Sequence, residues 1–185
     1  MLANVGIVLP ESSNCTSANV IVVSVGTRGD ARSGYGIVLS RTSKVILRTV
    51  SIANVTGDGV ISANSDIVST GISISGVGKN GIEINGDFNS LDISDCRISD
   101  ASEYAIHETA AALPQKTILR IENCEFRDNK LGAVKLENPG AVAMSIDKLQ
   151  DTSVTGTASR HHTASGPGLI LFFCLAFAGP GRLRA

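Results

Sequence analysis

Three side chains of acidic, basic and cationic character, Glu83, His107 and Lys135, lie 24 and 28 residues apart. Those separations mean little until the surrounding residues are aligned. Glu83 follows Gly81-Ile82, His107 follows Ala105-Ile106 and Lys135 follows Ala133-Val134, and the same segment occurs earlier as Gly36-Ile37-Val38-Leu39 and Gly59-Val60-Ile61-Ser62. On an extended chain successive side chains point to opposite faces, so a residue between two inward positions must face solvent. If the segments stack, Val38, Ile61, Glu83, His107 and Lys135 form one outward column, with Asn85, Thr109 and Glu137 in the column beside it. Side chains opposite one another on adjacent strands are close enough to interact directly. The strip therefore sets a candidate proton-transfer group between a carboxylate and an ammonium. The plainer alternative is a solvated face where opposite charges stack because like charges repel.

The other chemical signals are weaker. Gly76-Val77-Gly78-Lys79-Asn80-Gly81 has G-x-G-x-x-G spacing, but the strand-like Ile82-Glu83-Ile84-Asn85 follows, not the helix that a pyrophosphate site needs. A glycine-rich bend is the better reading. His161 and His162 would point opposite ways on an extended chain and have no evident co-ligands, so no metal site or cofactor is expected, and calcium is not indicated. Asn14-Cys15-Thr16 and Asn54-Val55-Thr56 are glycosylation sequons, meaningful only in a eukaryotic secreted chain. Asn54, Gly76, Asp100 and Asp128 recur at one position, where Asn and Asp favour bends by bonding the backbone.

The elements that must position the strip are legible as a repeat of about 22 to 28 residues. After each first segment comes a second whose apolar positions align: Val45, Leu47, Val50, Ile52; then Ile67, Ser69, Ile72, Ile74; then Leu91, Ile93, Cys96, Ile98; then Leu119, Ile121, Cys124, Phe126. Roughly 26 positions are expected to point inward, and only Ser62, Ser69 and Glu108 among them are not apolar. Period-two alternation, a two-residue break and a second short alternation read as three short strands per unit. A leucine-rich repeat has a similar period, but these units are Ile/Val-rich and β on every side.

Gly36 to Asn54 and Leu91 to Ile98 resemble right-handed parallel β-helix repeats of the pectate-lyase-like superfamily, and the resemblance covers about Gly36 to Asp128. It implies an all-β solenoid of about six coils, with Asn19 to Val25 as an earlier rung and Val134 to Leu149 as a later one. Cys96 and Cys124 would be neighbours in the core, read as an apolar thiol stack, although a disulfide is geometrically conceivable. Polysaccharide lyases and uronate epimerases of this superfamily carry their acid and base groups on the outward face of such a sheet. On that resemblance Lys135 would neutralise a uronate carboxylate, His107 would accept or donate the proton at carbon five, and Glu83 would orient His107. Asn85, Thr109 and Glu137 would contact the polymer. Glu108 would point inward, so its strand is expected to end near His107, and the insertion Ala110 to Gln115 would project beside the strip. Tyr104-Ala105-Ile106-His107-Glu108 is similar to the Tyr-Gly-Phe-Asp-Pro-His-Glu motif of mannuronan C5-epimerases but lacks the Asp-Pro, including a main catalytic group of that family. The three aspartates and Gly-His-Gly of polygalacturonase-type hydrolases do not occur.

Composition agrees with this reading. The 16 basic and 17 acidic residues nearly cancel, which points away from nucleic acid, while 43% hydrophobic and 18% charged residues exclude a solvated disordered chain. Aromatics reach only 4%, and the 19 glycines suit a punctuated β-repeat. No signal peptide is seen, and the longest apolar run, Leu169 to Ala178, is too short for a membrane span. Cys15, Cys96, Cys124 and Cys174 lack zinc-site spacing and read as buried thiols. The expected organisation is a β-helix domain over 1–155 and an irregular tail over 156–185, poorly ordered or an improvised cap. The resemblance implies an extracellular or periplasmic, carbohydrate-associated protein that binds or modifies an acidic polysaccharide. The rival is a structural or adhesive solenoid, such as a tail-spike or surface segment, whose open coil ends invite oligomerisation.

Overall fold

Period-two alternation lets each segment bury one face, and each break in the alternation is a corner of the solenoid. The computed structural model describes residues 4–11, 15–23, 25–26, 34–41, 44–86, 89–109, 117–137 and 142–152. Every regular element among them is a strand. The first are β1 (Asn4–Pro10), β2 (Cys15–Val23), β3 (Gly34–Ser40) and β4 (Val45–Ala53). Next come β5 (Val60–Ala63), β6 (Asp66–Thr70), β7 (Ser73–Ser75), β8 (Ile82–Asn85), β9 (Ser90–Ser94) and β10 (Arg97–Ser99). The last are β11 (Tyr104–Glu108), β12 (Thr117–Glu122), β13 (Glu125–Arg127), β14 (Gly132–Leu136), β15 (Val142–Asp147) and β16 (Gln150–Thr152).

The first strands stack in parallel as one six-stranded sheet, β1-β3-β5-β8-β11-β14. The second and third strands form two stacks, β6-β9-β12-β15 and β7-β10-β13-β16, that both start from the long strand β4. Four turns therefore have three separate strands, preceded by two in which the second and third run on as one. The parallel all-β solenoid is thus as expected, and the departure from about six coils of three short strands is confined to the first two turns, where two strands have merged. The corner exists in all six turns, because Asn19, Thr49, Gly71, Asp95, Asn123 and Lys148 have φ between 50° and 71°. A single left-handed residue turns the chain and shifts its phase, and Asn and Asp tolerate that region best after Gly. The Asn54, Gly76, Asp100, Asp128 ladder is the same device after the third strand, with φ of 54°, 60°, 54° and 51°. The earliest first strand, β1, carries Gly6-Ile7-Val8-Leu9, the same four residues as Gly36-Ile37-Val38-Leu39 with which it pairs in register, and the sequence reading overlooked it.

Inside, the aligned columns meet as expected. Ile67 lies beside Leu91, and Leu91 beside Leu119; Ile74 lies beside Ile98, and Ile98 beside Phe126. Ser62 and Ser69 are buried, as is Glu108 at 3% exposure. The expected end of the strand near His107 is corrected, since β11 continues through Glu108 and parallel pairing with Ile84 and Leu136 holds it in register. The buried carboxylate is satisfied there by the backbone N–H of Glu137, which donates to its Oε2 at 3.1 Å. Gly76 to Gly81 makes the bend into β8, and a side chain on Gly78 would run into the backbone of Thr56, so these glycines serve close packing between turns.

Cys96 and Cys124, 4.6 Å apart at Cα, are joined by a disulfide, correcting the expected stack of free thiols. In-register stacking puts equivalent cysteines of successive coils within bonding reach. Cys15 is free and half-buried, and Cys174 lies outside the described residues. So do the insertion Ala110 to Gln115, His161 with His162, and the whole of the expected tail over 156–185. The disulfide closes a loop of sequence separation 28, so reducing it is expected to lower unfolding stability by roughly 3–4 kcal/mol. Non-reducing peptide mapping should recover a Cys96–Cys124 cross-link, and denaturant titration with and without reductant measures the loss. An unlinked pair of peptides from the native protein contradicts it.

Candidate functional site

Parallel pairing fixes the outward strip by register. Val8 pairs with Val38, Val38 with Ile61, Ile61 with Glu83, Glu83 with His107, and His107 with Lys135. The column is thus aliphatic over three turns and ionisable over the next three. All six side chains are at least partly exposed, as alternation requires. The structure brings Glu83, His107 and Lys135 onto one face in consecutive rungs.

Their partners differ from the expected arrangement at one point. His107 Nε2 lies 3.2 Å from Glu137 Oε1, and the same oxygen is 3.6 Å from Lys135 Nζ. Glu137, assigned from sequence to the neighbouring outward column, is therefore the carboxylate on His107, a role expected of Glu83. Together the imidazole and the ammonium hold the exposed Glu137 carboxyl below its usual range, the hydrogen bond from His107 contributing most. The Tyr104 ring packs against His107 with centroids 5.6 Å apart, restricting the imidazole from its other side. Thr109 turns its hydroxyl back to donate to the Ile84 carbonyl at 3.2 Å, and Asn85 donates to Glu83 Oε1 at 3.5 Å.

Glu83 belongs to a second cluster that the sequence reading missed. Asn80 Nδ2 donates both to Glu83 Oε2 at 3.3 Å and to Asp58 Oδ1 at 3.1 Å, while the Asn80 backbone N–H also donates to Asp58 Oδ1 at 2.9 Å. Asn80 Oδ1 in turn accepts from the Tyr104 N–H at 3.1 Å. Asp58 is only 1% exposed, with Lys79 Nζ at 3.9 Å. Burial, and then the Glu83 charge, push its carboxyl up to about 6, against the smaller opposing pull of Asn80 and Lys79. The available signal was positional: Asp58, Asn80 and Tyr104 each immediately precede the small residue that opens the repeated segment. Sequence alone reads Asn80 only as part of a glycine-rich bend and Tyr104 only as part of a motif, and gives Asp58 no role. Among the described residues, no group of three or more His, Cys, Asp or Glu is placed to hold a metal ion. No helix among them is long and apolar enough to cross a membrane.

The fold and this face together define a parallel β-solenoid with one acid–base column across successive turns. Residues 2–148 match the family described as right handed beta helix region, and the chain belongs to it. No curated protein and no solved structure matches the chain.

Asp58 also makes a pH prediction. Its folded value lies above its unfolded one near 3.8, so the folded chain binds the extra proton between about pH 4 and 6. Stability should therefore be highest with respect to this group below that window and fall as pH rises through 6, by at most about 3 kcal/mol. Asp58→Asn, which keeps the oxygen that Asn80 bonds, should remove this part of the slope in urea unfolding between about pH 4 and 7. An unchanged slope contradicts the assignment.

Proposed function

We propose that the outward strip of the first sheet binds an acidic polysaccharide laid across the coils. The observation that carries this reading is the single register placing Glu83, His107 and Lys135 on successive turns, beside an aliphatic stretch formed by Val8, Val38 and Ile61. A linear polymer crossing parallel strands meets equivalent positions every ~4.8 Å, so a repeating ligand can use a repeating surface. The aliphatic half suits the apolar face of a sugar ring, and Lys135 supplies a cation for a carboxylate. Asn85, Thr109 and Glu137 flank the same path. Glu137 already occupies Lys135 and His107, so a uronate carboxylate would have to share or displace it.

The finer form of this reading is catalytic, as a uronate lyase or C5-epimerase relative. Lys135 then offsets the charge that builds on the uronate carboxylate as the proton at carbon five leaves, and His107 takes that proton. In elimination the carbon–oxygen bond at carbon four breaks, its electron pair leaves with the oxygen, and the proton passes to that oxygen. In epimerisation a proton returns to carbon five from the opposite face. Glu137 and Tyr104 position the imidazole in either case.

A second reading, the structural or adhesive solenoid, is favoured by the way charges close on one another between coils. Arg97 pairs with Glu125 and Arg120 with Asp92 across neighbouring coils. Ion pairs of this kind secure coil register without needing a ligand.

Titrating the protein with alginate and pectate separates the two. On the binding reading both or one of these polymers binds, and Lys135→Ala weakens binding on the order of tenfold while the fold is retained. On the catalytic reading, unsaturated-product absorbance or deuterium exchange at carbon five appears and is lost in His107→Ala. Absence of binding to every polyuronate supports the scaffold.

A further inference from the structure

Asp58 is a buried carboxyl beside the strip that the polymer reading does not use. It cannot touch a polymer itself, yet it is coupled to the outward column through a single side chain, since the Asn80 amide group donates to Asp58 and to Glu83 at once. The same Asn80 accepts from the Tyr104 backbone, and Tyr104 packs on His107. We propose that Asp58 is a positioning and charge-setting residue for the strip: it exchanges a proton with solvent, and that exchange changes both the charge beside His107 and Lys135 and the hold on Glu83. The ligand that reads the change is an anionic polymer, so this part rests on the binding reading above.

The geometry supports proton exchange from several sides. Asp58 Oδ1 already accepts two hydrogen bonds from Asn80, so an added proton belongs on Oδ2, the oxygen nearest Lys79. The charged and titratable groups around the site are Lys79 on the turn before β8, Glu83 on β8, Tyr35 on β3, and Tyr104 and His107 on β11. Lys135 and Glu137 complete the strip beyond them. Lys79 is a partly exposed cation at 3.9 Å and only partly offsets a fully buried carboxylate lying close to a second one. The Glu83 carboxylate, joined to Asp58 through the Asn80 amide, further disfavours the charged form of Asp58. Desolvation and Glu83 both raise the Asp58 carboxyl, to about 6, which places the exchange where a modest change of medium is felt.

With the proton bound, the pair carries one negative charge; without it, two. A polyanion at Lys135 and His107 should therefore bind more tightly at about pH 5 than at about pH 7, by roughly three- to tenfold from this group. The decisive comparison is Asp58→Asn, which keeps the oxygen facing Asn80 and removes the charge. At neutral pH this variant should bind polygalacturonate roughly three- to tenfold more tightly than the wild type, and its affinity should change less between about pH 5 and 7.

Carboxyl carbon-13 titration of the unliganded wild type provides the ligand-free readout. Asp58 should titrate near 6, with a coupled displacement of the Glu83 signal. An Asp58 midpoint near 4 with no response at Glu83 overturns the proposal, and so does an identical pH dependence of binding in wild type and Asp58→Asn. If the wild type binds no polyuronate at either pH, the reading of the strip fails and the ligand consequence falls with it. The Asp58 titration then still decides whether the carboxyl pair exists.

Discussion

Everything in this molecule depends on in-register parallel stacking of one coil on the next. Once β3, β5, β8, β11 and β14 pair without slip, a residue's neighbours are fixed by its place in the repeat and not by its neighbours in sequence. A slip of one residue would turn every inward isoleucine outward. The register is held by the apolar columns of the core, by Phe126, Ile98 and Ile74 in one ladder and Leu119, Leu91 and Ile67 in another. It is also held by left-handed corner residues that stop the strands at equivalent points. The Cys96–Cys124 disulfide ties two coils at one such equivalent position.

Because stacking makes distant residues adjacent, it also decides the electrostatics. Glu137 meets His107 across 30 residues of sequence, and Arg97 meets Glu125 across 28. Exposed pairs of this kind contribute little stability each, and their greater effect is to keep a face neutral and its side chains in place. Asp58 is different, since it is buried against the turn and close to Glu83. Its placement costs stability when ionised, and a cost at an ordered position beside an exposed acid–base column is what draws attention to that end of the first sheet.

Much of the fold was legible because the repeat is strict. The inward columns, the three non-apolar exceptions Ser62, Ser69 and Glu108, and the outward column from Val38 to Lys135 all follow from alternation counted against an aligned repeat. What alternation does not encode is where a side chain reaches. Glu137 and not Glu83 bonds His107 because the next outward column lies within reach across the coil, a diagonal contact invisible to a column-by-column reading. Asp58 and Asn80 sit in corners, where period two fails, so nothing in the pattern announced that they face inward. The disulfide was underestimated because apolar surroundings suggested a thiol, whereas the Cα separation of 4.6 Å imposed by stacking is what permits the bond. The merging of second and third strands in β2 and β4 was hidden for a related reason: a single left-handed residue breaks the phase without necessarily breaking the strand.

The central claim is that one register turns residues 24 and 28 positions apart into a single binding face. The most direct measurement is a map of backbone amide shifts in the isotopically labelled protein during titration with a short oligouronate. The account predicts that the largest changes fall along Val38, Ile61, Glu83, His107 and Lys135, with Asn85 and Glu137 beside them, and that the third-strand face around Arg97 and Glu125 stays silent. Changes centred on that other face, or none anywhere at saturating oligouronate, would contradict it.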